Sequence, residues 1–497
     1  MKHRPDPVVT TAQGAVRGLR RGDTLTFLNI PYAAPLHGAG RFAPPLPHEP
    51  WDGVRDATVP GPNAPQSQRR LGDVDMTPYF GTGWSRGEDY LTVNVFTPAA
   101  GGGDALPVMV FVHGGGFVAG STRAALYDGS AFARDGVVLV TLNYRLGIAG
   151  FLDLPGAPAN RGLLDVVAAL RWVRENISAF GGDPHHVTLF GQSAGATIVG
   201  GVLATPEAAG LVRRAIVQSG SGLGAFTPEQ AARVTGAAAG ALGVEPHADA
   251  FAGLPDERLV EAASGLAGLD LRTGTHRDPL IGLSPFSLVL DTQPAVSVAA
   301  GLAADVDLLV GTNAEEGNLY LVPVGAYATS TAADVDEAAA RAHPDPVRLV
   351  ETYRKSRPEA GFAELRSAVM ADALFGAGSR ALAGAHAAHP RSGTYAYEFA
   401  WRSHALDGRL GATHTVELPF VFDLADRPEL NGPHALLGPE EAPADLATRV
   451  HETWIRFART GDPGWDPYDT DRRATMRIGA EWTRVDDPRS EERRAWS

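Results

Sequence analysis

A 497-residue chain in which short apolar runs alternate with helical stretches predicts an α/β fold, with a large, mostly parallel central sheet flanked by helices. Two observations carry this reading. Residues 91–96, 108–112, 137–143, 187–190 and 306–310 are mostly apolar runs, the pattern of strands buried on both faces. Between them lie segments with apolar residues at helical spacing, and a strand that returns through a helix pairs in parallel with its predecessor. Composition agrees: 44% hydrophobic and 20% charged residues are ordinary for a folded chain and far from the signature of disorder.

The elements follow in order. Val8-Val9-Thr10 leads through Gly14 to a strand at residues 25–30 before Pro31, which reads as an antiparallel edge. Residues 31–87 are rich in Pro and Gly and read as long loops of the kind that shape a site. The sheet core begins at Leu91. In residues 162–180 the apolar positions Leu163, Leu164, Val166, Val167, Leu170, Val173 and Ile177 share one helical face, and Gly181-Gly182 stops the helix. The strand at 187–190 precedes a helical stretch at 194–203. Residues 227–278 and 332–389 are Ala-rich and helical in character, with the strand 306–310 between them. A helix at 451–457 and a strand at 482–485 keep the end ordered. With no internal repeat and no Ser/Gly linker, residues 1–497 read as one domain with helical insertions near 225–290 and 330–390.

Composition also removes whole classes of function. There is no cysteine, so disulfides, thiolate nucleophiles, zinc–cysteine sites and iron–sulfur clusters are excluded, and any nucleophile is oxygen or nitrogen. Against 57 acidic residues stand 43 Lys and Arg, a net charge of −14 that repels phosphate backbones and anionic lipid. Nucleic acid and membrane partners are not expected. The first ten residues lack the apolar core of a secretion signal and no apolar stretch is long enough to span a bilayer, so a soluble, cytoplasmic protein is expected.

The strongest local motif is Gly191-Gln192-Ser193-Ala194-Gly195, directly after one strand and before a helix. A serine on such a sharp turn takes strained backbone angles and presents its hydroxyl at the helix N-terminus, and the flanking glycines remove side chains that would collide. Taken alone the match is also that of an ordinary glycine-rich turn. Upstream, His113-Gly114-Gly115-Gly116-Phe117 closes the strand 108–112. Three glycines there make sense if backbone N–H groups must approach something closely. Such donors stabilise a tetrahedral oxyanion, where one lost donor costs about 3–4 kcal/mol of barrier. Gly115, Gly116 and Ala194 are the candidates.

With both motifs present in this order, the chain resembles the type-B carboxylesterases, the α/β-hydrolase family that includes cholinesterases and bacterial carboxylesterases. The resemblance covers nearly the whole chain: Gly14-Ala15-Val16-Arg17-Gly18, Ile30-Pro31-Tyr32-Ala33, Arg41-Phe42, Glu88-Asp89-Tyr90-Leu91-Thr92-Val93-Asn94-Val95, Asn143-Tyr144-Arg145-Leu146-Gly147 and Phe180-Gly181-Gly182-Asp183-Pro184 all match family sequence. It implies an α/β-hydrolase fold and a serine esterase. The family's acid motif is matched by Gly311-Thr312-Asn313-Ala314-Glu315-Glu316-Gly317, which assigns the catalytic carboxylate to Glu316 and leaves Glu315 structural. The stretch from Gly411 to Phe422 matches the histidine motif except at Thr415, and makes His414 the general base. Ser219 resembles a second serine that supports the acid, although a strand-end hydroxyl capping backbone is the simpler reading.

Other matches are structural. Arg41 with Glu88, and Arg145 with Asp165, resemble the family's internal ion pairs. The positions of the family's first disulfide match Ala64 and Tyr90, in keeping with a reducing compartment. Gln192 replaces the usual Glu before the nucleophile, and Trp84 is not at the spacing of the cholinesterase choline-binding tryptophan, so a quaternary-ammonium substrate is not expected. The expected reaction is hydrolysis of a small-molecule carboxylic ester through an acyl-enzyme on Ser193, with no cofactor and no metal, by a monomer or weak homo-oligomer. Two other readings stay open: a hydrolase specialised for an amide, carbamate or natural-product ester, and a non-catalytic binding protein on the same fold.

Overall fold

The computed structural model describes residues 6–496 apart from 102, 104 and 390, so the first five residues of the segment expected to lack a secretion signal lie outside the described residues. In chain order the strands are β1 (Val8–Thr10), β2 (Ala15–Arg17), β3 (Leu19–Arg21), β4 (Thr24–Pro31), β5 (Val54–Asp56), β6 (Thr92–Thr97), β7 (Leu106–Val112), β8 (Val138–Leu142), β9 (Gly182–Gln192), β10 (Arg214–Gln218), β11 (Asp307–Asn313), β12 (Thr394–Phe399), β13 (Ala474–Ile478) and β14 (Trp482–Asp486). β1, β2 and β5 form a small sheet of their own. The rest make an eleven-stranded sheet in the order β14-β13-β12-β11-β10-β9-β7-β8-β6-β4-β3. Its central strands, from β8 to β13, pair in parallel. Antiparallel pairs flank them on both sides.

The apolar runs of the sequence belong to these central strands because both faces of the sheet are covered. In β7, Val108, Val110 and Val112 enter one core while Met109 and Phe111 enter the other. β8 divides in the same way, with Val138 and Val140 opposite Leu139. Helices Arg161–Asn176 and Ala194–Leu203 pack the first face. Helix Ala444–Thr460 seals the second with Trp454, Ile455 and Phe457. After Asn176 the chain tightens into a 3-10 turn, Ile177–Phe180, and stops at Gly181 with φ 82°, a left-handed cap that glycine takes without strain. A third, smaller core that includes Leu349, Tyr353 and Val369 lies beneath helices Ala332–Ala342, Pro346–Ser356 and Phe362–Ala371. Among the described residues no helix is long and apolar enough to cross a membrane.

Two expectations are corrected. The segment expected to be helical through residue 278 holds helices Pro228–Leu242, Ala248–Ala252 and Asp256–Gly265 only. The chain then turns at Gly268, where φ is 85°, and runs irregularly. Arg41 does not pair with Glu88: its guanidinium meets Asp256 and donates to the carbonyls of Ala252 (2.8 Å) and Leu254 (2.6 Å), while Glu88 lies at the surface against His37. The fold carries helix Asp256–Gly265 over the Arg41 loop, and that helix supplies the nearer carboxylate. The other pair forms as expected. Arg145 and Asp165 are fully buried 2.7 Å apart. From Nη1 Arg145 also donates to the carbonyls of Arg41 (3.0 Å) and Ala43 (2.6 Å), so both protons of that nitrogen are satisfied.

Candidate active site

Sheet register decides where the chemistry collects. Val112 of β7 lies beside Gly191 of β9, Gln192 of β9 beside Gln218 of β10, and Gln218 beside Gly311 of β11. Four neighbouring parallel strands therefore end in one row, and the candidates follow their carboxyl ends: the glycine loop after β7, Ser193 after β9, Ser219 after β10 and Glu316 just beyond β11. The crevice outside the carboxyl ends of parallel strands is where α/β sheets form sites.

Ser193 sits at φ 58° and ψ −126°, a conformation a residue with a Cβ seldom adopts. Its N–H donates to the Gln218 carbonyl and its carbonyl accepts from the Thr197 N–H, both at 2.9 Å. The turn leaves no room on either side. A Cβ on Gly195 would stand 2.1 Å from the Val112 carbonyl oxygen, and one on Gly191 would stand 2.7 Å from the Gly195 carbonyl carbon.

From that turn the Ser193 hydroxyl donates to Nε2 of His414 at 2.8 Å, and Nδ1 of His414 donates to Oε2 of Glu316 at 2.6 Å. The other Glu316 oxygen accepts from the Ser219 hydroxyl (2.5 Å) and the Asn313 N–H (2.7 Å), which fixes the carboxylate. Relative exposures of 9% for Ser193, 2% for His414 and 1% for Glu316 keep the relay out of bulk water. The N–H groups of Gly115, Gly116 and Ala194 have no acceptor among the described residues, and these residues line one cavity of about 70 Å³ with Ser193 and His414. The glycine loop is pinned from behind: Ser284 donates to the Gly116 carbonyl (2.8 Å) and Tyr144 to the His113 carbonyl (2.7 Å). Burial pulls His113 down to about 4, so its ring, stacked on Tyr144 at 4.5 Å, is neutral at physiological pH.

The adjacent carboxylates part company. Glu315 turns away to accept from the Ala412 N–H at 2.8 Å and to pair with Arg402, at the base of the loop that carries His414. Gln192 places its amide nitrogen 3.3 Å from Nε2 of His414. Trp84 lies under the guanidinium of Arg86 at 4.3 Å and is not part of the Ser193 cavity wall.

Several site residues escaped the sequence reading. Glu417 lies inside the histidine motif without an assigned role. It is fully enclosed and accepts from Asn313 (2.6 Å) and Gln218 (3.2 Å). Burial, then the nearby Glu316 charge, push it up to about 7. Phe375 lies face to face on the His414 ring at 4.3 Å and 8°, and is delivered by a π-helical turn, Asp372–Gly376. Tyr320 tilts against the same imidazole at 5.8 Å. Arg69 reaches the cavity from the loops before β6. Nothing in the local sequence around Phe375, Tyr320 or Arg69 signals a site.

A hydroxyl bonded to an imidazole that is itself held by a carboxylate, facing three unused N–H groups, contains the parts an acyl transfer needs. Comparison with known proteins agrees. The model of the carboxylesterase family matches residues 5–496. The chain belongs to the carboxylesterase family. It is 36% identical to a para-nitrobenzyl esterase of Bacillus subtilis, over 98% of this chain and 97% of that one. It is 34% identical to a phenmedipham hydrolase of Pseudarthrobacter oxydans, with 96% of each covered. A crystal structure of a Geobacillus stearothermophilus carboxylesterase superposes with a TM-score of 0.84 at 34% identity, covering 99% of this chain and all of that one. The sheet and its helices are thus those of an α/β-hydrolase, and this carboxylesterase is a carboxylic ester hydrolase.

Proposed function

We propose that this carboxylesterase hydrolyses small-molecule esters through an acyl-enzyme on Ser193. His414 accepts the Ser193 proton as the oxygen attacks the carbonyl carbon, and Glu316 holds the ring in the required tautomer and stabilises the imidazolium. The N–H groups of Gly115, Gly116 and Ala194 receive the negative charge that develops on the carbonyl oxygen. The imidazolium then protonates the departing alkoxide. Water, deprotonated by the same ring, attacks the acyl carbon and releases the acid with Ser193 restored.

The observation that carries the reading is the unbroken relay, 2.8 Å from Ser193 to His414 and 2.6 Å from His414 to Glu316, opening on unused donors. A binding protein without catalysis has no need of it. Ser219 and Gln192 act beside it, the first by fixing the Glu316 carboxylate and the second by keeping the neighbourhood of Nε2 uncharged. The same reading takes the chain as one domain with helical insertions around the site. It also takes the chain as cytoplasmic, on the absence of cysteine.

In the test, Ser193→Ala loses turnover of a short-chain aryl ester by more than about 10³-fold, with far-UV dichroism and melting temperature preserved. An organophosphate labels wild type once, at Ser193. Full turnover by Ser193→Ala would overturn the assignment.

A further inference from the structure

One charge at the Ser193 cavity is left unused by ester hydrolysis. Arg69 is half-buried, and its Nη1 donates to the Gly115 carbonyl at 3.2 Å. The same nitrogen stands 3.0 Å from the place a Cβ on Gly116 would occupy, so the guanidinium lies against the two glycines assigned to the oxyanion. The guanidinium also lies 5.8 Å from the centre of the Phe80 ring.

A guanidinium carries five N–H donors, and among the described residues Arg69 meets one carbonyl and no carboxylate. Other enclosed arginines are treated differently. Arg145, Arg357 and Arg380 each have a carboxylate. Arg161, which has none among the described residues, donates to four carbonyls. Desolvation draws Arg69 below the usual arginine range, yet the group keeps its charge.

The surroundings make that charge readable by a substrate. Among the described residues lining the Ser193 cavity, Arg69 is the one with a permanent charge, since the neighbouring Gln192 is neutral and Glu316 is enclosed behind His414. Arg69 and Leu283 also line a larger adjoining cavity of about 370 Å³. In that cavity the exposed Arg70 adds a second cation, and the carboxylate of Asp256 is already engaged by Arg41.

We propose that Arg69 determines specificity by selecting esters that carry a second, ionised carboxyl group, whose carboxylate sits on the guanidinium where the two cavities meet. The inference rests on the reading of Ser193 as the nucleophile. A planar carboxylate would satisfy two of the idle donors at once, in a setting where water competes poorly. The net charge of −14 repels anions at long range, so the preference arises from binding at the site and not from faster encounter.

The test uses two pairs of esters that differ only by a methyl cap on the carboxylate. 4-Nitrophenyl hydrogen adipate against its methyl ester places the charge on the acyl side. 4-Carboxyphenyl butyrate against its methyl ester places it on the alcohol side. The readout is the ratio of kcat/KM, anionic over capped, in wild type, Arg69→Met and Arg69→Lys, above the uncatalysed rate. Comparing the ratio across variants cancels intrinsic reactivity. In at least one pair the ratio falls about tenfold or more in Arg69→Met, chiefly through KM, and Arg69→Lys recovers part of it. If both members of both pairs fall together, with their ratios unchanged, Arg69 is only a peg for the Gly115 carbonyl and the proposal fails. Hydrolysis of the capped esters that survives Ser193→Ala would instead overturn the assignment of the nucleophile.

Discussion

Glu315 and Glu316 show how much a single residue's role depends on where the chain turns. Chemically they are the same group, and only the family motif favours the second. In the structure one carboxylate is 1% exposed and bonded to His414, Ser219 and Asn313, while the other faces Arg402 at the surface. Glu316→Gln is expected to lower kcat by about 10³–10⁴-fold, because a neutral amide neither fixes the tautomer nor supports the imidazolium. Glu315→Gln removes a half-exposed ion pair worth at most about 1 kcal/mol, so its effect stays within about fivefold. The measurement is kcat on one aryl ester at one pH, and equal losses would reverse the assignment of the acid. Ser193, Gly115, Gly116, Ala194 and His414 were legible as candidates because motif and position coincide, and the structure brings them to one cavity. Phe375, Tyr320 and Arg69 were not, because each is an ordinary residue of its own segment until the fold brings it to the cavity.

At the scale of the element, the strand-turn-helix around Ser193 is set by sterics that two glycines of one helix report with opposite signs. Both belong to helix Ala194–Leu203. A Cβ on Gly195 would meet the Val112 carbonyl oxygen at 2.1 Å, whereas on Gly200 its nearest neighbour is the Pro294 Cβ at an ordinary 3.8 Å. Gly195→Ala should cost more than about 2 kcal/mol, since backbone must move to admit it. Gly200→Ala should gain about 0.5–1 kcal/mol, as an interior helical glycine replaced without a clash. Urea midpoints give both values; a stabilised Gly195→Ala would show that the turn is not as tight as these contacts require. Most central strands were readable as apolar runs, since burial on both faces removes polar alternation. β10, β12 and β13 were missed, the first because its apolar run is only three residues long, Ala215-Ile216-Val217. In Thr394–Phe399 aromatic residues alternate with small and charged ones, and in Ala474–Ile478 a charged residue interrupts the run, so neither has the plain apolar signature. The helices of residues 227–265 and 332–389 were legible from their alanines, but the irregular chain after Gly265 was not, because composition does not show where tertiary contacts replace helical hydrogen bonds.

Over the whole molecule, burial of titratable groups ties stability to pH. Glu417 is pushed up to about 7, so between its ordinary range and that value the folded state holds a proton that the unfolded chain has released. This group's contribution is full below about pH 4.5 and is lost as pH rises towards 7. His113, pulled down to about 4, acts in the opposite sense over much of the same window, because its unfolded form binds the extra proton. The net curve therefore mixes both, and the difference between wild type and Glu417→Gln isolates one. Relative to wild type the variant should gain at least about 1.4 kcal/mol of unfolding free energy between pH 4.5 and 7.5, read from denaturant unfolding at each pH; a difference constant with pH would place the Glu417 proton elsewhere. What the sequence determined by itself is local or periodic: the strand-helix alternation, the glycines a sharp turn demands, the lack of thiols, and the motifs that mark Ser193, Glu316 and His414. What the tertiary structure alone decided is which distant groups meet. Asp256 displaces Glu88 at Arg41, Phe375 covers His414, Glu417 lies close to Glu316, and Arg69 stands by the glycine loop with no carboxylate among the described residues. The reason is physical: local pattern is encoded by sterics and periodicity over a few residues, whereas burial, charge pairing and unsatisfied donors depend on segments hundreds of residues apart that only packing brings together.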